Sequence, residues 1–355
     1  MTILLEPLVV QVMRGFKAAL LAREQVQIQR MADRWLVVER TLRGQMELAA
    51  RDLEAEKRTG KAVSQWKLAR MERYQDLLRQ LEQQMAEYNR YAEAEIMTQQ
   101  NSYGQLGIDH GVQAINASYA EAAVRGSFNV LPVDAIQEMV GLLGDGSPLA
   151  TLLTDAYGTA AEQMSAALLQ GTALGWNPRK TAAAMSDGIA SGLGRILTTA
   201  RTEQLRVYLE ANRQQYEHSG VVEGFVRLVA HDNRTCMACL AAEGEWFPVA
   251  EALYDHPNGR CSSVPKVDGV RFPAFTRGVD WFRAQPEPLQ YDMIAGQVGK
   301  EAAQRWLDGD IDFERFYTKR PNRVWGASLN PTTQRELLKG GGQSADIYEG
   351  WRQAA

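Results

Sequence analysis

The sequence predicts an α+β chain that is predominantly α-helical: a long N-terminal antiparallel helical hairpin, a helical middle, and a small C-terminal β-containing module stapled by a cysteine and histidine cluster. Three observations predict it. Apolar residues recur at three- and four-residue spacing through the first hundred positions. One β-branched run, Val221–Ala230, stands out in the second half. All three cysteines fall within residues 236–261.

The first helix is marked by Phe16, Leu20, Met31, Trp35, Val38, Leu42, Met46 and Leu53, and Pro7 stands where a first helical turn tolerates it. After the break Arg58-Thr59-Gly60-Lys61, the spacing resumes at Val63, Trp66, Tyr74, Leu77, Leu81, Met85, Tyr88 and Ala92. Two such helices joined by a short turn make a hairpin over residues 1–100. At 1.5 Å per residue a helix from 8 to 58 would be roughly 75 Å long, more than a compact domain needs, so the hairpin reads as an arm or spacer. Mutual packing explains both stripes more simply than a cofactor box does; docking of the arm onto a larger assembly is the sharper alternative. Gly44 costs the first helix about 1 kcal/mol against alanine and offers a place for a bend.

Residues 101–218 form a helical middle region, of which 101–200 are rich in glycine and alanine and read as several short helices. Starts are expected at Leu131-Pro132-Val133-Asp134 and at Asn177-Pro178-Arg179, where a capping asparagine precedes a proline in the first helical position. An amphipathic helix is expected over Ile196–His218. The glycine runs 141–146 and 188–194 lack the Gly-Lys-Ser/Thr of a phosphate loop and follow no strand, so they read as turns and close helix contacts.

In residues 219–340 the Val221–Ala230 strand is followed by a turn, Ala241–Val249, leading into a second strand. Beyond Pro265 the chain reads as short helical stretches and turns carrying Trp281, Trp306 and Trp325. Residues 341–355, entered through Gly340-Gly341-Gly342, read as a loosely held tail.

Lysine and arginine number 39 against 43 acidic residues, a net charge of −4, which is not the balance of a constitutive nucleic-acid binder. The apolar run Leu8–Ala22 is too short and too interrupted by Arg14 and Lys17 to cross a bilayer, and it lacks the features of a signal peptide. A soluble protein of a reducing compartment is expected, and an odd count of three cysteines argues against a disulfide framework.

Those thiols follow the order Cys236-Met-Ala-Cys239, sixteen residues, His256, four residues, Cys261. Three thiolates and one imidazole are the donor set of a closed, tetrahedral structural zinc site. Cys-x-x-Cys supplies one tight turn, and Pro257, Asn258 and Gly259 allow a second. The plainer reading is small buried thiols beside a hydrogen-bonded histidine. A redox Cys-x-x-Cys lacks its βαβ setting, and a zinc deaminase would place His-x-Glu before the cysteines, the reverse of the order here. A cysteine hydrolase using Cys236 or Cys239 with His256 and Asn258 would have the right residue types without a nucleophile signature. His231, beside Asp232, reads as a strand-end histidine or a substitute ligand, and His110 and His218 as surface or capping residues. Lys319-Arg320-Pro-Asn-Arg323, the one notable basic cluster, reads as a solvated turn, with a zinc-stabilised DNA-contacting module as the alternative.

Arg201-Thr202-Glu203 heading a helix, the segment His231-Asp-Asn-Arg-Thr-Cys-Met-Ala-Cys-Leu-Ala-Ala-Glu-Gly244, then His256-Pro-Asn-Gly-Arg-Cys261 and Val264-Pro265, resemble the phage Mu F-like family of head morphogenesis proteins, also called minor head or minor capsid proteins. The tail agrees in order: Gly278-Val-Asp-Trp281-Phe282, then Gln285, Gln290, Met293 and Gly296, then Trp306 to Phe316, and Trp325-Gly326-Ala-Ser-Leu329. The resemblance covers roughly residues 195–340; the helical first half matches only in character. Many members read His-Pro-x-Cys-Arg-Cys, whereas Gly259 stands at the first of those cysteines here, which leaves Cys261 as the available ligand. The resemblance implies a non-enzymatic virion component present in low copy number. It would associate with the portal protein and other head proteins, touch packaged DNA weakly, lie in the head interior or at the portal vertex, and assist DNA packaging or delivery. No membrane and no catalytic residue are expected. The runner-up is a cysteine-dependent enzyme or toxin-like effector carried in the virion.

Overall fold

The computed structural model describes residues 6–342 apart from 61–63, 233–234, 254, 273 and 323, with backbone alone at 322, 326 and 327. The fold is α+β and mainly helical. Helix α1 spans Leu8–Arg58, α2 is the short Gln65–Leu68, and α3 spans Glu72–Glu121. The long N-terminal helix pair is therefore present, but its second member continues well past residue 100. A 3₁₀ turn at Val133–Met139 follows, then α4 (Leu149–Asp155), α5 (Ala160–Ala173) and α6 (Pro178–Ser219).

The middle region thus holds short helices, as expected, between the end of α3 and the long α6. Asn177 caps α6, its Oδ1 accepting the Lys180 N–H at 2.9 Å, and Pro178 opens the helix as its residue type suggests. The run Gly188–Gly194, expected in turns and close helix contacts, lies inside α6 and makes the close contacts, and Ile196 continues the helix rather than starting a new one. Glycine is retained there for space: a methyl on Gly192 would collide with the Tyr157 ring. The last part of α3 follows the same logic, since a methyl on Gly107 would stand 2.5 Å from the Tyr208 carbonyl oxygen of α6.

Strand β1 (Val222–Leu228) is followed by α7 (Met237–Ala242), β2 (Trp246–Pro248) and β3 (Ser262–Val267). These strands form an antiparallel sheet in the order β2-β1-β3, with Phe225 opposite both Phe247 and Pro265. The central β1 is buried on both faces apart from Glu223, which is why its sequence reads as a continuous apolar run instead of alternating. Helices α8 (Gly278–Arg283), α9 (Glu287–Gln297) and α10 (Lys300–Leu307) come next, then a 3₁₀ turn at Phe313–Phe316. The hairpin β4 (Tyr317–Asn322) and β5 (Gly326–Pro331) and then α11 (Gln334–Leu338) complete the described chain. Strand β3 and this hairpin were not legible in the sequence: proline and short polar residues interrupt their alternation.

The chain groups into two compact units, one of residues 1–22, 99–146 and 202–355, the other of 23–98 and 147–201. These draw on separated stretches rather than on consecutive segments 1–100, 101–218 and 219–340. In the second unit α1 and α3 run antiparallel, Arg30 pairing with Glu95 and Asp52 with Arg73. Trp35 packs between Tyr88 and Tyr157 at centroid distances of 5.1 and 5.4 Å, and the Tyr88 hydroxyl donates to the Met31 carbonyl at 3.0 Å. The two stripes pack on each other, as expected.

In the first unit one apolar cluster joins the start of α1 and the end of α3 to the sheet, through Val10, Met13, Ile115, Phe225 and Phe247. A second, built on α7, α9, α10 and the second 3₁₀ turn, includes Cys239 and Cys261 beside Leu240, Phe282 and Phe313. Gly340–Gly342 are held, not loose: Arg315 donates to the carbonyls of Leu337 and Gly341 at 3.0 and 3.1 Å. The rest of the expected tail, 343–355, lies outside the described residues. No helix among the described residues is long and apolar enough to cross a membrane.

Candidate metal centre

Cys236 ends the loop after β1 and caps α7, its sulfur accepting the Cys239 N–H at 3.2 Å. The Cys-x-x-Cys turn is thus a helix start, which turns both sulfurs to the same side. His256 lies on the loop before β3, where Asn258 adopts a left-handed backbone (φ 61°) and the Gly259 N–H closes a turn on the His256 carbonyl at 2.7 Å. Asparagine tolerates that conformation better than most residues. Cys261 directly precedes β3, held next to β1 by the pairing of Leu228 with Ser262.

The four residues read as ligands come together. His256 Nε2 lies 3.3 Å from both the Cys236 and the Cys239 sulfurs, and the Cys261 sulfur lies 3.5 Å from that of Cys239. A tetrahedron with bonds of about 2.3 Å to sulfur and about 2.0 Å to nitrogen has edges of roughly 3.5–3.8 Å. Cys236, Cys239 and His256 lie within 4.8 Å of one another, and Cys261 joins them through Cys239, so it would close in on Cys236 and His256 if one ion took all four. All three cysteines are free thiols. His256 Nδ1 is 2.8 Å from the Pro257 carbonyl oxygen; a carbonyl only accepts, so Nδ1 carries a proton and Nε2 is turned toward the sulfurs as a ligand must be. The donor set fits a soft, thiophilic dication.

In the metal-free protein the same closeness polarises the cluster. The hydrogen bond from Cys239 and the neighbouring His256 pull the Cys236 thiol well below its ordinary range, while sharing hydrogen bonds with Cys236 and Cys261 pushes Cys239 well above it. Burial works against a charged His256, but its hydrogen bond to Cys236 and the charge of Asp255 hold it up at about 10. Both shifts favour a thiolate on Cys236 beside a protonated His256, and a metal ion binding there would displace that proton.

Two residues of this neighbourhood were missed in the sequence. The Asp255 carboxylate forms a second group with Cys239 and Cys261, all within 4.8 Å, and Arg227 of β1 lies beside it, Nη1 at 3.8 Å from Oδ1. Asp255 sits next to His256 in sequence, but its neighbour drew attention only as a ligand; Arg227 is one cation in an apolar strand. Gly259 is also explained, because a side-chain carbon there would collide with the Asp255 carboxylate. A cysteine at 259 does not fit this loop.

The remaining candidates lie elsewhere. His231 is not near the sulfur cluster's hydrogen bonds: its Nε2 is 2.6 Å from the buried Glu243, whose other oxygen accepts the Val229 N–H at 2.8 Å, and it stacks on Trp281. It is a strand-end histidine. His110, expected at the surface, is buried, stacked on Phe16 with Nδ1 3.1 Å from the Tyr208 hydroxyl. Asn258 does not orient His256; its N–H donates to Thr202 Oγ1 at 3.1 Å. Thr202 and Glu203 lie within α6, not at its head. Glu203 is fully buried, accepts the Trp325 indole N–H at 2.6 Å and the Arg206 Nε–H at 2.9 Å, and is pushed up by burial against those donors. Lys319 and Arg320 pair with Glu245 and Glu336, and Arg323 lies outside the described residues.

A cavity of about 240 Å³ opens onto Cys236, His256, Asn258 and Arg260, and another of about 410 Å³ onto the other side of His256 between Thr202, Arg206 and Trp325. No family model, no curated protein and no solved structure matches the chain.

Proposed function

We propose that the chain is a structural minor head protein of a tailed phage or prophage. It associates in few copies with the portal protein and other head proteins during prohead assembly, and it assists DNA packaging or delivery from the head interior or portal vertex. Cys236, Cys239, His256 and Cys261 hold one structural zinc ion that fastens its C-terminal module. One observation carries the reading. The segments that resemble the Mu F-like family lie far apart in sequence yet interlock: Asn258 bonds Thr202, and Trp325 bonds Glu203, around the loop that bears His256. Zinc, when bound, supplies a cross-link; the chain's own residues supply its geometry. Co-expression with a tailed-phage portal protein tests the proposal. Co-purification and entry into proheads are expected, and failure to associate with either overturns it.

A second reading, a cysteine-dependent enzyme, is favoured by the Cys236–His256 pair facing a cavity. A thiol-reactive probe decides between them. Preferential labelling of Cys236 that zinc does not suppress supports the enzyme; protection of all three thiols by zinc supports the staple.

A further inference from the structure

Asp255 is committed through both oxygens. Oδ1 accepts the His256 N–H at 2.9 Å and Oδ2 the Cys261 N–H at 3.1 Å, so one carboxylate grips the backbone of two ligand-bearing residues. Its carbon end fills the space above Gly259. Arg227, 1% exposed, reaches Asp255 Oδ1 at 3.8 Å and Glu245 Oε2 at 3.5 Å, and its charge also faces Cys261 and Cys239. Three thiolates and a neutral imidazole around a dication leave one net negative charge, which is costly to bury without a partner.

We propose that Asp255 and Arg227 are positioning residues of the metal centre: Asp255 clamps the His256 and Cys261 backbones, and Arg227 fixes Asp255 and offsets the centre's negative charge. The inference rests on the metal reading above. It decides between the two overlapping groups of donors, because a fixed guanidinium beside Asp255 opposes a second cation among Cys239, Asp255 and Cys261. The chain then takes one ion, on three sulfurs and one nitrogen, and Asp255 stays outside its coordination sphere.

The test uses the full chain. Zinc stoichiometry and affinity are measured by competition with a chromophoric chelator, and the ligand set is read from the absorption spectrum of the cobalt-substituted protein. The wild type should bind one zinc. Asp255→Asn and Arg227→Met should bind about 10–100-fold more weakly, with Arg227→Lys recovering part of the loss. Asp255→Asn should keep the cobalt spectrum of the wild type, whereas Cys261→Ser should lose thiolate-to-metal intensity. If Arg227→Met fails to fold, Asp255→Asn and Arg227→Lys carry the test. A wild type that takes up no zinc overturns the metal reading and this inference with it. One zinc in the wild type with affinities in Asp255→Asn and Arg227→Lys within about twofold of it, two zinc ions per chain, or a cobalt spectrum altered by Asp255→Asn, overturns the inference alone.

Discussion

Gly259→Ala is the substitution whose effect the geometry fixes most sharply. A methyl there cannot coexist with the Asp255 carboxylate, and Asp255 cannot retreat without releasing the N–H groups of His256 and Cys261 and moving off Arg227. Hydrogen bonds to a charged acceptor contribute about 1.5–3 kcal/mol each, so losing both should destabilise the cluster loop by at least about 3 kcal/mol and weaken zinc binding about 10–100-fold. Gly44→Ala is the control. A methyl at Gly44, inside α1, meets nothing within 4 Å, and alanine should gain about 1 kcal/mol of helix propensity. The assay is amide hydrogen exchange along the whole chain with a chelator titration beside it. Protection should fall at 236–242 and 255–267 in Gly259→Ala, and rise within α1 in Gly44→Ala. Wild-type protection and wild-type zinc affinity in Gly259→Ala would refute the assignment of Asp255 as the loop's clamp.

Three further outcomes follow from the same contacts. In the metal-free protein a raised His256 faces a lowered Cys236, so between about pH 6.5 and about 8.5 the pair binds one proton folded or unfolded and its contribution to stability is level. Above about 8.5 the unfolded thiol ionises while His256 stays protonated toward about 10, and the contribution is lost. Zinc affinity should climb across the whole of this range as ligand protons leave, so stability followed by unfolding at several pH values should rise with pH in zinc where it is level without it. Gly107→Ala should cost about 1–3 kcal/mol by forcing α3 off the Tyr208 carbonyl, measured as a lowered urea midpoint. Trp35→Ala should cost about 3–5 kcal/mol in the second unit by emptying the space between Tyr88 and Tyr157, and exchange protection around the cysteines should be unchanged.

Helical periodicity was the most legible signal, because long α1 and α3 each bury one continuous stripe. The far end of α3 was not legible, because glycines at 104, 107 and 111 weaken the pattern, nor was the continuity of α6 through Gly188–Gly194, until the Tyr208 backbone and the Tyr157 ring are seen packed against them. Glycine in a helix costs roughly 1 kcal/mol, and only tertiary contact shows what offsets it. The four residues proposed as ligands could be picked out from residue type and spacing, since three thiols and an imidazole fall within 26 positions, and the structure brings their side chains into one neighbourhood. What spacing could not show was the surroundings. Asp255 acts through backbone N–H groups and Arg227 through charge, and neither leaves a periodic trace. His110 was misplaced for a related reason: nothing in its local sequence announces Phe16 or Tyr208 as its neighbours.

The division of labour between strand and loops bears on how such a staple works. The candidate ligands sit on short local structure: Cys236 and Cys239 open α7, which has six residues, too few to be stable alone, and His256 and Cys261 lie on the loop before β3. Arg227 sits on the strongest. Its N–H donates to the Glu245 carbonyl at 3.0 Å, its carbonyl accepts the Gly244 N–H at 3.0 Å, and it pairs with Ser263 across the other edge of β1. The charge that answers the sulfurs is thus anchored in a central strand before any ion arrives, while Cys236, Cys239, His256 and Cys261 come from a buried helix start and a loop that Asp255 ties down. Metal binding then orders loops against a sheet that needs no ordering. Removing zinc should therefore loosen α7 and the 255–261 loop first and leave β1 paired with β3, so exchange at Val226 and Leu228 should stay slow in chelator while exchange at Cys239 and Leu240 becomes fast. Equal loss at both would mean that the ion supports the sheet itself and that Arg227 is not a preformed anchor.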